Sequence, residues 1–505
     1  MLSLVQSDGF PPPPANFNMA AYVLAHADRL ADKTALQIMD VAGGIERFDY
    51  LSLKRAVLGT ATGLRALVKP GAHVVMQLGN TPEFPIAFLG AIAAGIVPVS
   101  LSSALTEREY QDVVATIQPA LEMRSAGAPQ SQTSALPFEA LRQFWALPPA
   151  NFACGDPDRP AYIIYTSGTS GRPTPVVHAH RAIWARRMMW NGWYGLREDD
   201  RMMHAGAFNW TYTLGTGLLD PWSIGATALI PAQNVMPEQL PALMMTYGAT
   251  LFAAAPGVYR RLLRAKVLPL PHLRHGLSAG EKLSAVDRGD WETKTGTPVY
   301  EAFGMSECST FISASPRQPA PEGAAGFVQP GRTVALLGPD GPVPRGDIGC
   351  IAIHKSDPGL MLGYLNLPQD TADRYQGDWF LTGDLATMDA TGAITYAGRA
   401  DDMMNAGGHR VSPIEVEDAL TAHPKISEAA VCTVQVRTGV FVIAGFYVAT
   451  DVIDEDQLRN FVATRLATYK VPRLLIARDT LPRGANNKLL RRTLRNEWET
   501  AHGQT

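Results

Sequence analysis

A chain of 505 residues, 46% hydrophobic and 18% charged, is long enough to bury large cores and to divide into at least two domains. Its formal net charge of −3 excludes a global electrostatic pull toward nucleic acid or an anionic membrane. Cys154, Cys308, Cys350 and Cys432 are scattered and form no CxxC pair, which argues against a disulfide framework or structural zinc and suits a reducing, cytoplasmic setting. The first residues carry Asp8 and the prolines Pro11 to Pro14, and read as no signal peptide.

In chain order, His73–Gln77, Ile86–Ala94, Val97–Leu101 and Glu107–Thr116 alternate β-rich runs with helical patterns, which predicts βαβ units and a largely parallel sheet. The stretch Phe84–Leu105 holds no charge, but Pro85, Gly95 and Pro98 interrupt it. A buried helix followed by a buried strand therefore fits better than a membrane span. Residues 124–158 are polar and Pro/Ala-rich and read as a connection. The alternation resumes at Arg201–Ala205, Thr213–Pro221, Thr227–Ile230, Pro237–Thr246 and Leu251–Ala254. From Gly326 to Ile353 rising Gly/Pro density predicts short strands and a small β subdomain. Ala397–Asp402 is rich in small and charged residues and is a candidate hinge. Beyond it, Pro413–Ala422 reads as a helix capped by Ser412, Ile426–Val436 and Val440–Val448 as strands, and Glu455–Thr468 as a helix. The expected fold class is α/β. A large domain (1–399) has stacked, mostly parallel βαβ sheets and the β subdomain, and a small α+β domain (400–505) follows.

The loop Tyr165–Pro175 joins an apolar run to hydroxyls and glycines. Thr166, Ser167, Thr169 and Ser170 offer donors, and Gly168 and Gly171 permit tight turns, so the loop suits phosphate oxygens. It lacks the Gly-Lys-Ser/Thr ending of a Walker loop. Five further segments follow in order: Ser278–Leu283, Tyr300–Glu307, Phe380–Asp384, Gly398 through Val411, and Pro482–Lys488. Together with the loop they resemble the adenylate-forming superfamily. Its members activate a carboxylate with ATP as an acyl-adenylate and pass the acyl group to a thiol. Pro13–Asn18, Ser412–Glu417 and Tyr469–Pro472 look most like benzoate-CoA and medium-chain acyl-CoA ligases.

The resemblance implies ATP, Mg2+ and CoA as cofactors, a small aromatic or short-to-medium-chain acid as substrate, no nucleic acid, and no transmembrane segment. A homodimer is compatible with it. Residue by residue, it implies that Glu307 ligands Mg2+, Ser306 bonds the α-phosphate, and Asp384 accepts the ribose hydroxyls. Phe303, beside Gly304, would stack on adenine, whose other contacts would be Glu301 and the loop Ser278, Ala279, Gly280 and Glu281. Arg410 would bind phosphate, and Lys488 would bridge carboxylate and α-phosphate. Arg399 and Asp401 sit at the hinge about which the small domain turns. Gly407 and Gly408 would let the pantetheine arm pass. The acyl pocket would involve Asn209, Trp210, Tyr212, Thr310 and Phe311, with Trp210 limiting chain length.

Other features have plainer readings. His178-x-His180 has no further ligand spaced to complete a metal site and reads as a loop or strand edge. Trp184, Trp190, Trp193 and Tyr194 read as core. Arg491, Arg492 and Arg495 read as the basic face of a C-terminal helix. Three positions depart from the family pattern. Thr174 stands for the loop lysine, Pro175 for a glycine, and Asn487 for the glycine before the catalytic lysine. They leave open a protein that holds nucleotide without turnover, beside the synthetase reading and a third in which a carrier protein accepts the acyl group.

Overall fold

The computed structural model describes all residues except 42, 104, 126–134, 167–173, 266–268, 407–408, 438–439, 485–488 and 503–505. Its contacts divide the chain into two compact units. The larger comprises Val5–Thr333 and Ile353–Phe380, and the smaller comprises Met1–Leu4, Val334–Ala352 and Leu381–Thr505.

The larger unit is built on two sheets. Six of their strands frame the site: β1 (Pro160–Thr166), β2 (Thr174–Ala179), β3 (His275–Ala279), β4 (Val299–Met305), β5 (Ser309–Ser313) and β6 (Gly363–Tyr364). The seven-stranded sheet runs β6, β2, β1, Val97–Ser100, His73–Gln77, Leu121–Arg124, Ala135–Pro137. The nine-stranded sheet runs Phe327–Val328, β5, β4, β3, Leu251–Ala254, Arg201–Ala205, Thr227–Pro231, Thr34–Met39, Ile45–Asp49. Both have parallel centres; antiparallel neighbours close both edges of the nine-stranded sheet and the β6–β2 edge of the seven-stranded one, whose other edge strand, Ala135–Pro137, is parallel to its neighbour.

The largest core cluster draws Val74 and Met76 from one sheet, and Ala228 and Ile230 from the other. Between them come the helices Tyr50–Leu67 and Glu83–Ala94. All twelve residues of Glu83–Ala94 are buried, which is why the charge-free run carries no amphipathic pattern. A Cβ at Gly90 would sit 2.9 Å from the Thr60 side chain, so glycine sets how closely these two helices pack. Among the described residues no helix is long and apolar enough to cross a membrane.

Two differences from the sequence reading have physical causes. Residues 124–158 hold a strand, Ala135–Pro137, and a helix, Phe138–Phe144, where a plain connection was expected. Both are short, and what holds the helix is nonlocal: Leu141 is buried, and the Phe144 ring fills the space beside Gly63. The stretch expected as one helix over Thr213–Pro221 is instead a π-helix, Thr213–Leu219, running into an α-helix, Asp220–Ile224.

In the smaller unit, Asp384–Met388 of strand β7 (Trp379–Met388) pairs antiparallel with β8 (Ile394–Arg399). Helix α1 (Pro413–Thr421) starts at Ser412, whose hydroxyl accepts the Glu415 N–H and donates to Ala397 O at 2.6 Å. Ile426–Arg437 and Val440–Ala449 form a long hairpin, joined in parallel by Leu474–Ala477. The final helix, Arg491–His502, is tied down by its arginines. Arg491 makes a two-point contact with Glu417 at 2.7 Å each, and Arg495 Nε donates to Thr433 O at 2.9 Å.

Candidate active site

The sharpest feature of the larger unit is the turn between β4 and β5. These strands pair antiparallel, Phe303 opposite Ile312 and Met305 opposite Ser309, with a bulge between Phe303 and Gly304. Ser306, Glu307 and Cys308 form the turn itself. Gly304 is required there: a Cβ would lie 2.3 Å from Ser309 O and 2.5 Å from Thr310 Cα. Ser309 closes the turn at φ 66°, a left-handed conformation that side chains rarely adopt. Its hydroxyl accepts a bond of 2.5 Å from Arg186 Nη1. Arg186 in turn lies against the buried Asp220, Nε to Oδ1 at 2.8 Å and Nη2 to Oδ2 at 2.5 Å. Tyr194 also donates to Asp220 Oδ2, at 2.8 Å.

His178 on β2 braces the other side of the turn. It is buried, stacked on Tyr162 with ring centroids 4.8 Å apart, and burial pulls its pKa down to about 4. The neutral ring must donate from Nε2, because its partner at 2.7 Å is the Ser306 carbonyl. His178-x-His180 is therefore a structural pair: His180 Nδ1 accepts the Met19 N–H at 3.0 Å. Among the described residues no group of three or more His, Cys, Asp or Glu could hold a metal ion.

Glu307 is half-buried. Its Oε1 accepts the Tyr364 hydroxyl at 2.7 Å, and no other described side chain bonds the carboxylate. One carboxylate with an oxygen to spare suits magnesium, which keeps waters and substrate phosphates as its remaining ligands. The residues present thus fit a Mg–ATP complex without a protein cage.

Around the turn the structure gathers several of the expected residues. Phe303 meets the fully buried Phe311 edge-on, centroids 5.5 Å apart, so Phe311 backs the Phe303 ring. On β3, Ser278 and Ala279 are buried and Gly280 has φ +98°. A Cβ on Gly280 would lie 2.9 Å from the Trp210 ring, so the loop and Trp210 touch through glycine. Trp210 is T-shaped to Tyr212 at 5.3 Å, and the Tyr212 hydroxyl donates to Leu277 O at 3.1 Å. The hydroxyls of Ser278, Thr213 and Thr310 are buried without a partner among the described residues. Asn209 is half-buried and makes no hydrogen bond to another described residue. Trp193 and Tyr194 are fully buried, whereas Trp184 and Trp190 are only partly so.

Glu301 has both oxygens engaged. Oε2 accepts the Leu283 N–H at 2.8 Å, and Oε1 pairs with Arg288. Burial pushes its carboxyl pKa up, with the Arg288 guanidinium pulling it back. This carboxylate braces the Ser278–Leu283 loop. Glu281, next to Gly280, is half-buried.

In the smaller unit, Asp384 on β7 lies opposite Arg399 on β8. Tyr396 donates to Asp384 Oδ1 at 2.9 Å, and Arg399 Nη1 stands 3.6 Å from Oδ2. Arg399 Nε also pairs with Asp401 Oδ1 at 2.9 Å. One guanidinium thus serves two carboxylates.

Ser167, Gly168, Thr169, Ser170, Gly171, Gly407, Gly408 and Lys488 lie outside the described residues, as does Asn487. Of Thr166, last in β1, and Arg410, in the strand His409–Val411, only the backbone is described. Thr174 opens β2 opposite Thr166, and Pro175 stands opposite Tyr165. Sequence reading missed Tyr364, Tyr396 and the bracing by His178. Tyr364 and Glu307 are 57 residues apart, and His178 and Ser306 are 128 apart, so no local pattern joins them.

Comparison with known proteins follows the same lines. A family model described as AMP-binding enzyme matches residues 23–365, and another, AMP-binding enzyme C-terminal domain, matches 415–488. The chain is 30% identical to the 3-hydroxybenzoate–CoA ligase of Aromatoleum sp. (strain CIB), over 93% of this chain and 94% of that one. It is 29% identical to the benzoate–CoA ligase of Thauera aromatica, over 98% and 99%. The crystal structure of a benzoate CoA ligase from Burkholderia xenovorans LB400 superposes with a TM-score of 0.84 at 29% identity, covering 95% of this chain and 100% of that one.

Proposed function

The chain belongs to the family of AMP-binding enzymes, and from that premise we propose that it activates an aromatic or short-to-medium-chain carboxylic acid through the residues gathered at the Ser306–Glu307 turn. Its activity is that of an AMP-forming acyl-CoA synthetase. The acid's carboxylate attacks the α-phosphorus of ATP, pyrophosphate leaves, and the thiol of CoA then takes the acyl group and releases AMP.

A carboxylate is a weak nucleophile and its target is anionic, so the site must neutralise charge as the α-phosphate becomes pentacovalent. In our reading the Ser306 hydroxyl donates to the α-phosphate, and the free oxygen of Glu307 takes the metal. Magnesium, when bound, supplies the charge that lets pyrophosphate depart. Lys488 bridges the carboxylate and the α-phosphate, and Arg410 holds phosphate oxygens. Phe303, stiffened from behind by Phe311, gives adenine a flat surface, and Ser278, Ala279 and Gly280 offer it backbone. Asp384, an acceptor already oriented by Tyr396, takes the ribose hydroxyls. Residues 400–505 turn about Asp401 between the half-reactions, withdrawing Lys488 and letting the thiol in past Gly408. Unpaired cysteines suit a reducing compartment, and we place the enzyme in the cytoplasm.

The observation that carries the choice of acid is the aromatic wall of Trp210 and Tyr212 closed against Gly280, which favours a flat or short acyl group. The test is a panel of acids with ATP, Mg2+ and CoA, read as AMP release. Benzoates and medium-chain acids should give at least about tenfold higher kcat/KM than long-chain fatty acids. Preference for a long-chain acid would refute the pocket reading. In the same assay Lys488→Ala should abolish acid-dependent pyrophosphate release yet spare thioester formation from supplied acyl-adenylate.

A further inference from the structure

One side chain reaches the Ser306–Glu307 turn from a distant part of the chain and has been given no task above. Tyr364, on the two-residue strand β6, donates its hydroxyl to Glu307 Oε1 at 2.7 Å. The segment carrying it is fixed at four points. Arg332 Nη1 and Asp357 Oδ1 meet at 2.5 Å, and neither side chain is more than 1% exposed. The Met361 N–H donates to Glu307 O at 2.8 Å, the Leu362 N–H to Val177 O at 2.8 Å, and the Leu365 N–H to Pro175 O at 2.9 Å. Tyr364 therefore has little freedom to follow Glu307; the carboxylate must come to the phenol. A carboxylate held through one oxygen loses rotation about its last bond and presents the other oxygen in a set direction.

We propose that Tyr364 is a positioning residue, which by holding Oε1 of Glu307 leaves Oε2 as the oxygen that binds the magnesium of the ATP complex. Oε2 bonds no other described residue, as such a division of labour requires. The proposal rests on the reading of Glu307 as the metal ligand, so its test must separate the two.

Tyr364→Phe keeps the ring and deletes the hydroxyl. Mn2+, a paramagnetic substitute for magnesium, is titrated into the full-length enzyme with a non-hydrolysable ATP analogue, and bound ion is followed by electron paramagnetic resonance. Mn2+ binding in Tyr364→Phe should weaken about tenfold. The Mg2+ concentration for half-maximal acid-dependent pyrophosphate exchange should rise by a similar factor. Thioester formation from supplied acyl-adenylate and CoA should stay at the wild-type rate. Glu307→Gln is measured alongside. If it weakens Mn2+ binding while Tyr364→Phe does not, the positioning role is overturned and the metal role of Glu307 stands. If neither variant changes Mn2+ binding, both readings fall. Equal slowing of both half-reactions in Tyr364→Phe, at unchanged Mn2+ affinity, would mark the bond as merely structural and also overturn the proposal.

Discussion

The Ser306–Glu307 turn and the Arg399 region are built on opposite principles. The turn is braced from several sides. His178 holds the Ser306 carbonyl, Arg186 holds the Ser309 hydroxyl, Tyr364 holds the Glu307 carboxylate, and Gly304 lets β5 lie against β4 at a distance no side chain would allow. Arg399 instead stands between two carboxylates, 3.6 Å from Asp384 and 2.9 Å from Asp401, and the Asp401 side chain is 53% exposed. The bond to Asp401 is worth little at such exposure, whereas the pair with Asp384, whose side chain is 12% exposed, is better shielded from water. Groups that must meet a pentacovalent phosphate need fixed positions. Under the function proposed above, Asp401 is the weaker partner, the one that could be released if residues 400–505 turn.

The hardest blow to this contrast would come from Gly304→Ala. The added methyl meets backbone on β5, so the turn must shift. Adenylation should fall by at least about a hundredfold, with a loss of about 2–4 kcal/mol in denaturant unfolding. Near-wild-type pyrophosphate exchange would mean that the turn tolerates displacement and is not held as described.

A smaller effect separates the units by acid. Burial lowers the pKa of His178 to about 4, His180 to about 3, His204 to about 3 and His275 to about 4, from 6.5, and all four belong to the larger unit. Once unfolded, these rings protonate near 6.5. Between pH 6.5 and about 4 the unfolded chain therefore holds more protons, and stability falls as pH drops. The melting temperature of the larger unit should drop by more than about 5 °C from pH 7.5 to pH 5. Calorimetry that finds the smaller unit melting first on acidification would contradict this ordering.

The smallest expected effect is Asp401→Asn, which leaves Arg399 with Asp384 alone. We expect thioester formation from supplied acyl-adenylate to change by about twofold to fivefold, and pyrophosphate exchange by less than about twofold. Equal changes in both half-reactions would remove the distinction between a fixed turn and a two-position hinge.

Strands with strong local pattern were legible in the sequence: His73–Gln77, Arg201–Ala205 and Leu251–Ala254 form as expected. So did the cap of α1 at Ser412, where chemistry and position coincide within four residues. What escaped notice depends on partners far along the chain. Helix Phe138–Phe144 exists because Gly63 admits the Phe144 ring, and Glu301 is occupied by Arg288 and the Leu283 amide. In the site, motif order singled out the residues with spare donors and acceptors, such as Ser306 and Glu307. The residues that orient them are ordinary by type, a tyrosine or a buried histidine, and only the fold distinguishes them.

Pro175 has a consequence for how the chain is made. Strand β2 ends at Ala179, but its outer neighbour β6 starts at Gly363. At about 5–20 residues per second, synthesis leaves that edge uncovered for roughly 10–40 s. The Pro175 carbonyl faces Leu365, so its missing N–H lies on this same open side. A proline there offers a passing strand one donor fewer and shortens the run available for stray pairing. The residue that departs from the phosphate-loop pattern thus leaves this edge one donor short until its outer neighbour is made.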